Sequence, residues 1–150
     1  MNILKLELTH FGKFHLKTIT FTSGLNIVYG KNEAGKSTIH AFVRSMLFGI
    51  PDTEEGNERY SHYLPWETPH DFCGRMWIKK DDKVYRIERN FLRPQPTVRV
   101  FDDETGESLQ PAKQHLRQIL SGLTETSYLN TICIEQLKSA TDPQLAKELE

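Results

Sequence analysis

The chain has 150 residues, 37% of them hydrophobic, and its 19 basic and 20 acidic side chains leave a formal net charge of -1. That suffices for one core and one domain with at most a small subdomain, and it excludes a global electrostatic pull toward nucleic acid or anionic lipid. The two cysteines, Cys73 and Cys133, lie far apart in apparent strands and read as buried free thiols in a reducing interior. Residues 1–5 open into strand alternation with no signal-type or transmembrane run, so the expectation is a cytoplasmic protein without a membrane partner.

Ile3, Leu4, Leu6 and Leu8, interleaved with Lys5, Glu7 and Thr9, predict a half-buried strand. Residues 10–14 read as a turn and 17–21 as a second, antiparallel strand. After Thr22-Ser23-Gly24 a third, buried strand is expected over 25–29. Ile39, Phe42, Val43, Met46 and Leu47 then recur on one helical face, with His40, Arg44 and Ser45 elsewhere, and the helix should end near Gly49 and Pro51. Residues 52–69 turn acidic and then aromatic, with Tyr60, Tyr63 and Trp66, and read as a long irregular loop packed down by its rings or stacking one on a base. An antiparallel meander follows, with strands over 74–79, 84–89 and 97–101, a polar turn at 80–83 and another turn at 102–106. A helix is expected from about Pro111 to Leu120, burying Leu116, Ile119, Leu120 and Leu123 and stopping at Gly122. A short helix or turn over 126–130 leads to a buried strand at 131–134, and Asp142-Pro143 predicts a last helix start.

Between the third strand and the first helix stands Gly30-Lys31-Asn32-Glu33-Ala34-Gly35-Lys36-Ser37-Thr38, a full match to the phosphate-loop pattern G-x-x-x-x-G-K-[ST]. Gly30 and Gly35 let the backbone close around a β-phosphate, so that successive N–H groups and the positive end of the helix dipole face the anion. Lys36 is suited to the β- and γ-phosphates, Ser37 to a bridging magnesium ion and Thr38 to the α-phosphate. The cofactors so implied are ATP and Mg2+. A complete hydrolase also needs an apolar strand ending in a metal-holding aspartate, and Ile132-Cys133-Ile134-Glu135 is the one weak candidate.

The run from Phe11-Gly12-Lys13 through Gly24 to Thr38, followed by Met46-Leu47-Phe48-Gly49, resembles the start of an ABC-type ATPase head of the SMC, RecF and SbcC class, and within it the bacterial YhaN-like ATPases. Tyr63-Leu64-Pro65-Trp66, Tyr85-Arg86-Ile87-Glu88-Arg89 and the segment from Asn130 to Gln136 extend the likeness over most of the chain. The resemblance implies an α/β phosphate-loop NTPase lobe with a mixed sheet. Its limits would be 1–142, with the meander at about 72–102, and 143–150 would begin a helix leading toward a coiled coil. It makes Gln136 a magnesium and γ-phosphate sensor, catalytic together with Lys36, and gives Lys13 a route toward the nucleotide. It also implies a C-terminal lobe beyond the coiled coil that carries the remaining catalytic motifs, a second head that dimerises on ATP, and work on DNA in repair, recombination or chromosome maintenance.

Other readings stay open. A self-contained kinase would use Glu135 or an acid of residues 52–58, and a non-catalytic lobe would only bind nucleotide or grip a partner. Arg59 can face phosphates or form a surface ion pair. Arg75, Lys79, Lys80, Lys83, Arg86, Arg89 and Arg93 make the hairpin region basic, although alternation divides them between two faces. His62, His70 and Cys73 lack zinc-site spacing.

Overall fold

The computed structural model describes residues 2–21, 33–122 and 124–125, with the backbone alone for 33–37. The elements run β1 (Asn2–Phe11), β2 (Phe14–Thr20), α1 (Glu33–Phe48), α2 (Glu54–Tyr63), β3 (Cys73–Lys80), β4 (Lys83–Asn90), β5 (Thr97–Asp102), β6 (Ser108–Leu109) and α3 (Ala112–Leu120). The expected strands at 25–29 and 131–134, the turn at 126–130 and the helix from 143 lie outside the described residues.

One sheet in the order β2-β1-β3-β4-β5-β6 forms the body, and every described pairing in it is antiparallel. The meander therefore continues the first hairpin through β1–β3 pairing. Strict alternation cannot bury Ile3, Leu6, Leu8 and Phe11 on one face, because their spacing is not uniformly two. The register shifts of β1 against β3, between Ile3 and Lys5 and between Glu7 and His10, absorb the extra residues and keep all four inward. The β3–β4 turn is as tight as a hairpin allows. Asp81 and Asp82 both take positive φ, 52° and 63°, and Lys80 pairs directly with Lys83.

α1 lies across the inward face. Ile39, Phe42, Val43, Met46 and Leu47 join Leu6, Leu8, Met76, Ile78, Ile87 and Val100 in one buried cluster, as the helical spacing predicts. Gly74 allows the close approach, since a Cβ there would stand 2.3 Å from Phe42 Cε1. α3 adds Leu116, Ile119 and Leu120 to the same core, and ends on Ser121 in the left-handed conformation at φ 53°.

The structure corrects the expected loop over residues 52–69, because α2 occupies its first half. Thr53 caps α2 by accepting from Gly56 N at 3.0 Å, and Glu54 and Glu55 lie in the first turn, where the helix dipole favours negative charge. Tyr60 and Tyr63 do pack the segment down: Tyr60 meets Phe72 at 5.2 Å between ring centroids and Tyr63 stacks on Phe11, also at 5.2 Å. Trp66 does not; it is 85% exposed.

Candidate nucleotide-binding site

α1 positions the site. Its aliphatic face is clamped to the sheet, so the backbone of 33–37 opens a helix that cannot swing away from the core. Of the phosphate-loop residues, Glu33, Ala34, Gly35, Lys36 and Ser37 form the N-terminal part of α1, and Thr38 is a buried side chain on it. Gly30, Lys31 and Asn32 lie outside the described residues, as does Gln136.

The β1–β2 turn comes up beside this end of the helix. Gly12, at φ +60°, donates its N–H to the Tyr63 carbonyl at 2.7 Å, and a Cβ on it would lie 3.4 Å from Tyr63 Cδ1 and 3.6 Å from Thr38 Cγ2. The turn, the end of α2 and the start of α1 thus converge at Gly12. Lys13 follows directly and is exposed.

Arg89 occupies the opposite end of α1. Its Nε donates to the Met46 carbonyl at 2.6 Å and its Nη2 to the Leu47 carbonyl at 3.3 Å, meeting the negative end of the helix dipole. Burial lowers the Arg89 pKa to about 10, so it remains a cation at neutral pH.

Arg59 does form an ion pair with the acidic run, as one of its two readings expects, but away from the surface. It is 6% exposed and lodged between α1 and α2, with Nη1 3.4 Å from Ser45 Oγ and Nη2 3.5 Å from Glu55 Oε2. The ion pair does not meet hydrogen-bond geometry, and Arg59 Nε and Nη2 have no hydrogen-bond partner. Desolvation lowers its pKa first, and the neighbouring Arg44 charge adds to that, against Glu55 and Glu125. Arg44 itself pairs with Glu55 at 3.0 Å and with Glu125. A cavity of about 510 Å³ borders this cluster, lined in part by His40, Arg44, Arg59, His62 and Tyr63. Burial also raises the Tyr63 pKa, so its phenol is neutral there.

Ser45, set apart from the buried face by helical spacing, is buried because α2 covers that side of α1. Sequence reasoning missed the cluster of Arg44, Ser45, Glu55 and Arg59. The signal available for it was Thr53 followed by Glu54 and Glu55, a helix start that predicts a second element against α1.

The basic hairpin is largely committed to the protein itself. Arg75 pairs with Glu7 at 2.7 Å, and Arg86 with Glu88 at 2.9 Å and Asp103 at 3.3 Å. Lys80 Nζ donates to the carbonyls of Gln118 and Ile119 at the end of α3, at 2.9 and 2.7 Å. Arg93 donates to Asn57 Oδ1 at 2.7 Å and covers the Tyr60 ring. With Arg89 buried on α1, these residues form no continuous free cationic stripe. Of the acids considered for a kinase, Glu55 is held by Arg44 and Arg59, and Glu135 lies outside the described residues.

Comparison with known proteins agrees with the resemblance read from the motifs. A family model described as an AAA domain, AAA_27, matches residues 1–141. The uncharacterized protein YhaN of Bacillus subtilis is 43% identical over 56 residues, covering 37% of this chain and 6% of that protein. The DNA double-strand break repair Rad50 ATPase of Thermococcus kodakarensis is 26% identical over 146 residues, covering 91% of this chain and 15% of that protein. The chain thus spans a small fraction of the length of both relatives. No helix among the described residues is long and apolar enough to cross a membrane.

Proposed function

The chain belongs to the AAA domain family, and from that premise we propose that it binds Mg-ATP through residues 30–38 as the N-terminal part of an SMC-like, ABC-type ATPase head. Backbone N–H groups of the loop hold the phosphates, Lys36 neutralises the β- and γ-phosphates, Ser37 and Gln136 take the magnesium ion, and Lys13 adds charge from the neighbouring turn. Bound Mg-ATP would supply the phosphoanhydride whose cleavage drives the head. In this reading the lobe is a phosphate-loop fold continued by a coiled coil. Hydrolysis needs a C-terminal lobe and a second head, and the whole protein acts in DNA repair or chromosome maintenance.

One observation carries the reading: α1 has its C-terminal carbonyls occupied by Arg89 and its apolar side fixed to the sheet, while its N-terminal end carries the motif. A helix held this way offers its positive pole to an anion without having to reorganise. The chemistry of the donor set, Gly-rich backbone with Lys36, Ser37 and Thr38, fits a magnesium-bound triphosphate.

The test is a titration of Mg-ATP into the 150-residue chain, with turnover measured beside it and Lys36→Ala as control. Saturable binding that Lys36→Ala weakens by at least about 1.4 kcal/mol, tenfold in Kd, is expected, with no turnover by either chain. Lys36-dependent turnover by the chain alone would promote the kinase reading, and binding indifferent to Lys36 would remove the phosphate loop from the site.

A further inference from the structure

The hairpin that carries Lys13 holds a second constellation, made of residues outside the phosphate-loop motif. His10 on β1 and His15 on β2 are direct cross-strand partners, one register step behind the pair Phe11 and Phe14 that closes the turn. Their rings meet edge to face at 5.4 Å, and His10 Nδ1 stands 3.2 Å from His15 Nδ1. His15 is exposed and His10 half-buried, so the paired nitrogens are open to solvent on one side.

We propose that His10 and His15 form a bidentate site for a divalent first-row transition metal such as Zn2+. The geometry carries it. A metal bound to imidazole at about 2.05 Å from each nitrogen, with the nitrogens 3.2 Å apart, subtends an angle of about 100°, close to tetrahedral. The direct pairing of the two residues across β1 and β2 holds the nitrogens at that separation. Without metal the contact is one N–H···N hydrogen bond, which requires one ring to carry its proton on Nδ1. With metal both rings carry their protons on Nε2 and both Nδ1 lone pairs coordinate. Among the described residues no group of three or more His, Cys, Asp or Glu side chains could hold a metal, so the site takes two ligands from them. Cys73 is the β3 partner of His10, and it forms no three-ligand group with the pair.

The site would act as a clamp. Gly12, in the turn just beyond the pair, donates to the Tyr63 carbonyl and abuts Thr38 on α1. A metal joining β1 to β2 therefore fixes the end of the hairpin that rests on the helix. By linkage it also stabilises the folded chain, because unfolding separates the two ligands.

The experiment is calorimetric titration of Zn2+ alone into the full chain without nucleotide or magnesium, with thermal melts in the same buffers. Four single substitutions run alongside: His10→Ala, His15→Gln, His70→Ala and Cys73→Ser. Saturable one-site binding and a raised Tm are expected for the parent chain. Each substitution in the pair should weaken binding at least about tenfold and abolish the Tm shift, while His70→Ala and Cys73→Ser leave both unchanged. His15→Gln keeps a polar side chain at an exposed position, and its own melt shows that it folds. Absence of binding overturns the proposal. So does binding that survives loss of either imidazole, and so does binding that depends on Cys73.

Discussion

The two long sides of α1 are held by opposite kinds of contact. Toward the sheet, Ile39, Phe42, Val43, Met46 and Leu47 bury completely or nearly so in an aliphatic and aromatic core. Toward α2, Ser45 and Arg59 meet at 3.4 Å, Arg59 leaves two nitrogens without hydrogen bonds, and a cavity of about 510 Å³ lies alongside. Close-packed apolar contact is stable and stiff, because any displacement opens a void. A desolvated arginine with incomplete partners contributes little net stability, and moving it costs correspondingly little. The sheet side of α1 is therefore the anchor, and the polar contact of Ser45 with Arg59 adds less to its stability.

The largest effect should come from emptying the anchor. Phe42→Ala removes a fully buried ring that touches Phe11 at 5.1 Å between centroids, and it should cost about 3–5 kcal/mol in urea unfolding at unchanged m. Overfilling the same contact comes next. Gly74→Ala would put a Cβ 2.3 Å from Phe42 Cε1 and 3.1 Å from the Glu7 carbonyl, for about 1–3 kcal/mol. Combining Gly74→Ala with Phe42→Leu should cost less than the sum of the two, because the smaller side chain gives way to the new methyl. Strict additivity would mean that the helix and strand do not meet there.

The opposite outcome is expected on the α2 side. Arg59→Met keeps the volume and removes the desolvated charge, and Glu55, whose side chain is 51% exposed, can rehydrate. Stability should stay within about 1 kcal/mol of the parent chain. A loss comparable to Phe42→Ala would make the polar side a second anchor and erase the distinction between the two.

That distinction also marks what the sequence discloses. The aliphatic period of α1 and the alternation in β3, β4 and β5 point straight at the core, because a single element must show its apolar face in its own spacing. The buried face of α2 is spaced just as regularly, at Gly56, Arg59, Tyr60 and Tyr63, but it contains no aliphatic residue and so reads as a loop. The bulges of β1 hide similarly, showing only as odd intervals between Ile3 and Leu6 and between Leu8 and Phe11. The phosphate-loop motif stands out in the sequence because the chemistry proposed for it makes local demands: glycine for close backbone approach, and a lysine and hydroxyls at fixed offsets. What surrounds it does not. Gly12 against Thr38, Arg89 on the Met46 and Leu47 carbonyls and Lys80 on the end of α3 join positions far apart in the chain, and no spacing rule encodes them. Counting charges overstates the basic hairpin for that reason, since most of its cations serve helix ends and carboxylates.

The smallest effect expected concerns the sheet's other face, where polar and ionic contacts replace the packed core. Cys73 lies there among Glu7, Asp71 and Arg75. Burial pushes its thiol above the ordinary range, the charges of Asp71 and Glu7 add to this, and Arg75 with a backbone hydrogen bond at His10 opposes it. The sign follows from the reactive species: only the thiolate attacks, so a raised pKa leaves less of it at any pH below that pKa. In a Cys133→Ser chain, alkylation by iodoacetamide at pH 8 should be slower folded than unfolded in urea. Accessibility alone could slow it as well, so the pH profile is the sharper measurement. The folded rate should still be climbing at pH values where the unfolded chain has levelled off. A folded profile that levels first would mean that Arg75 outweighs burial, and that this face of the sheet is more open to water than its packed opposite by a wider margin than its ion pairs imply.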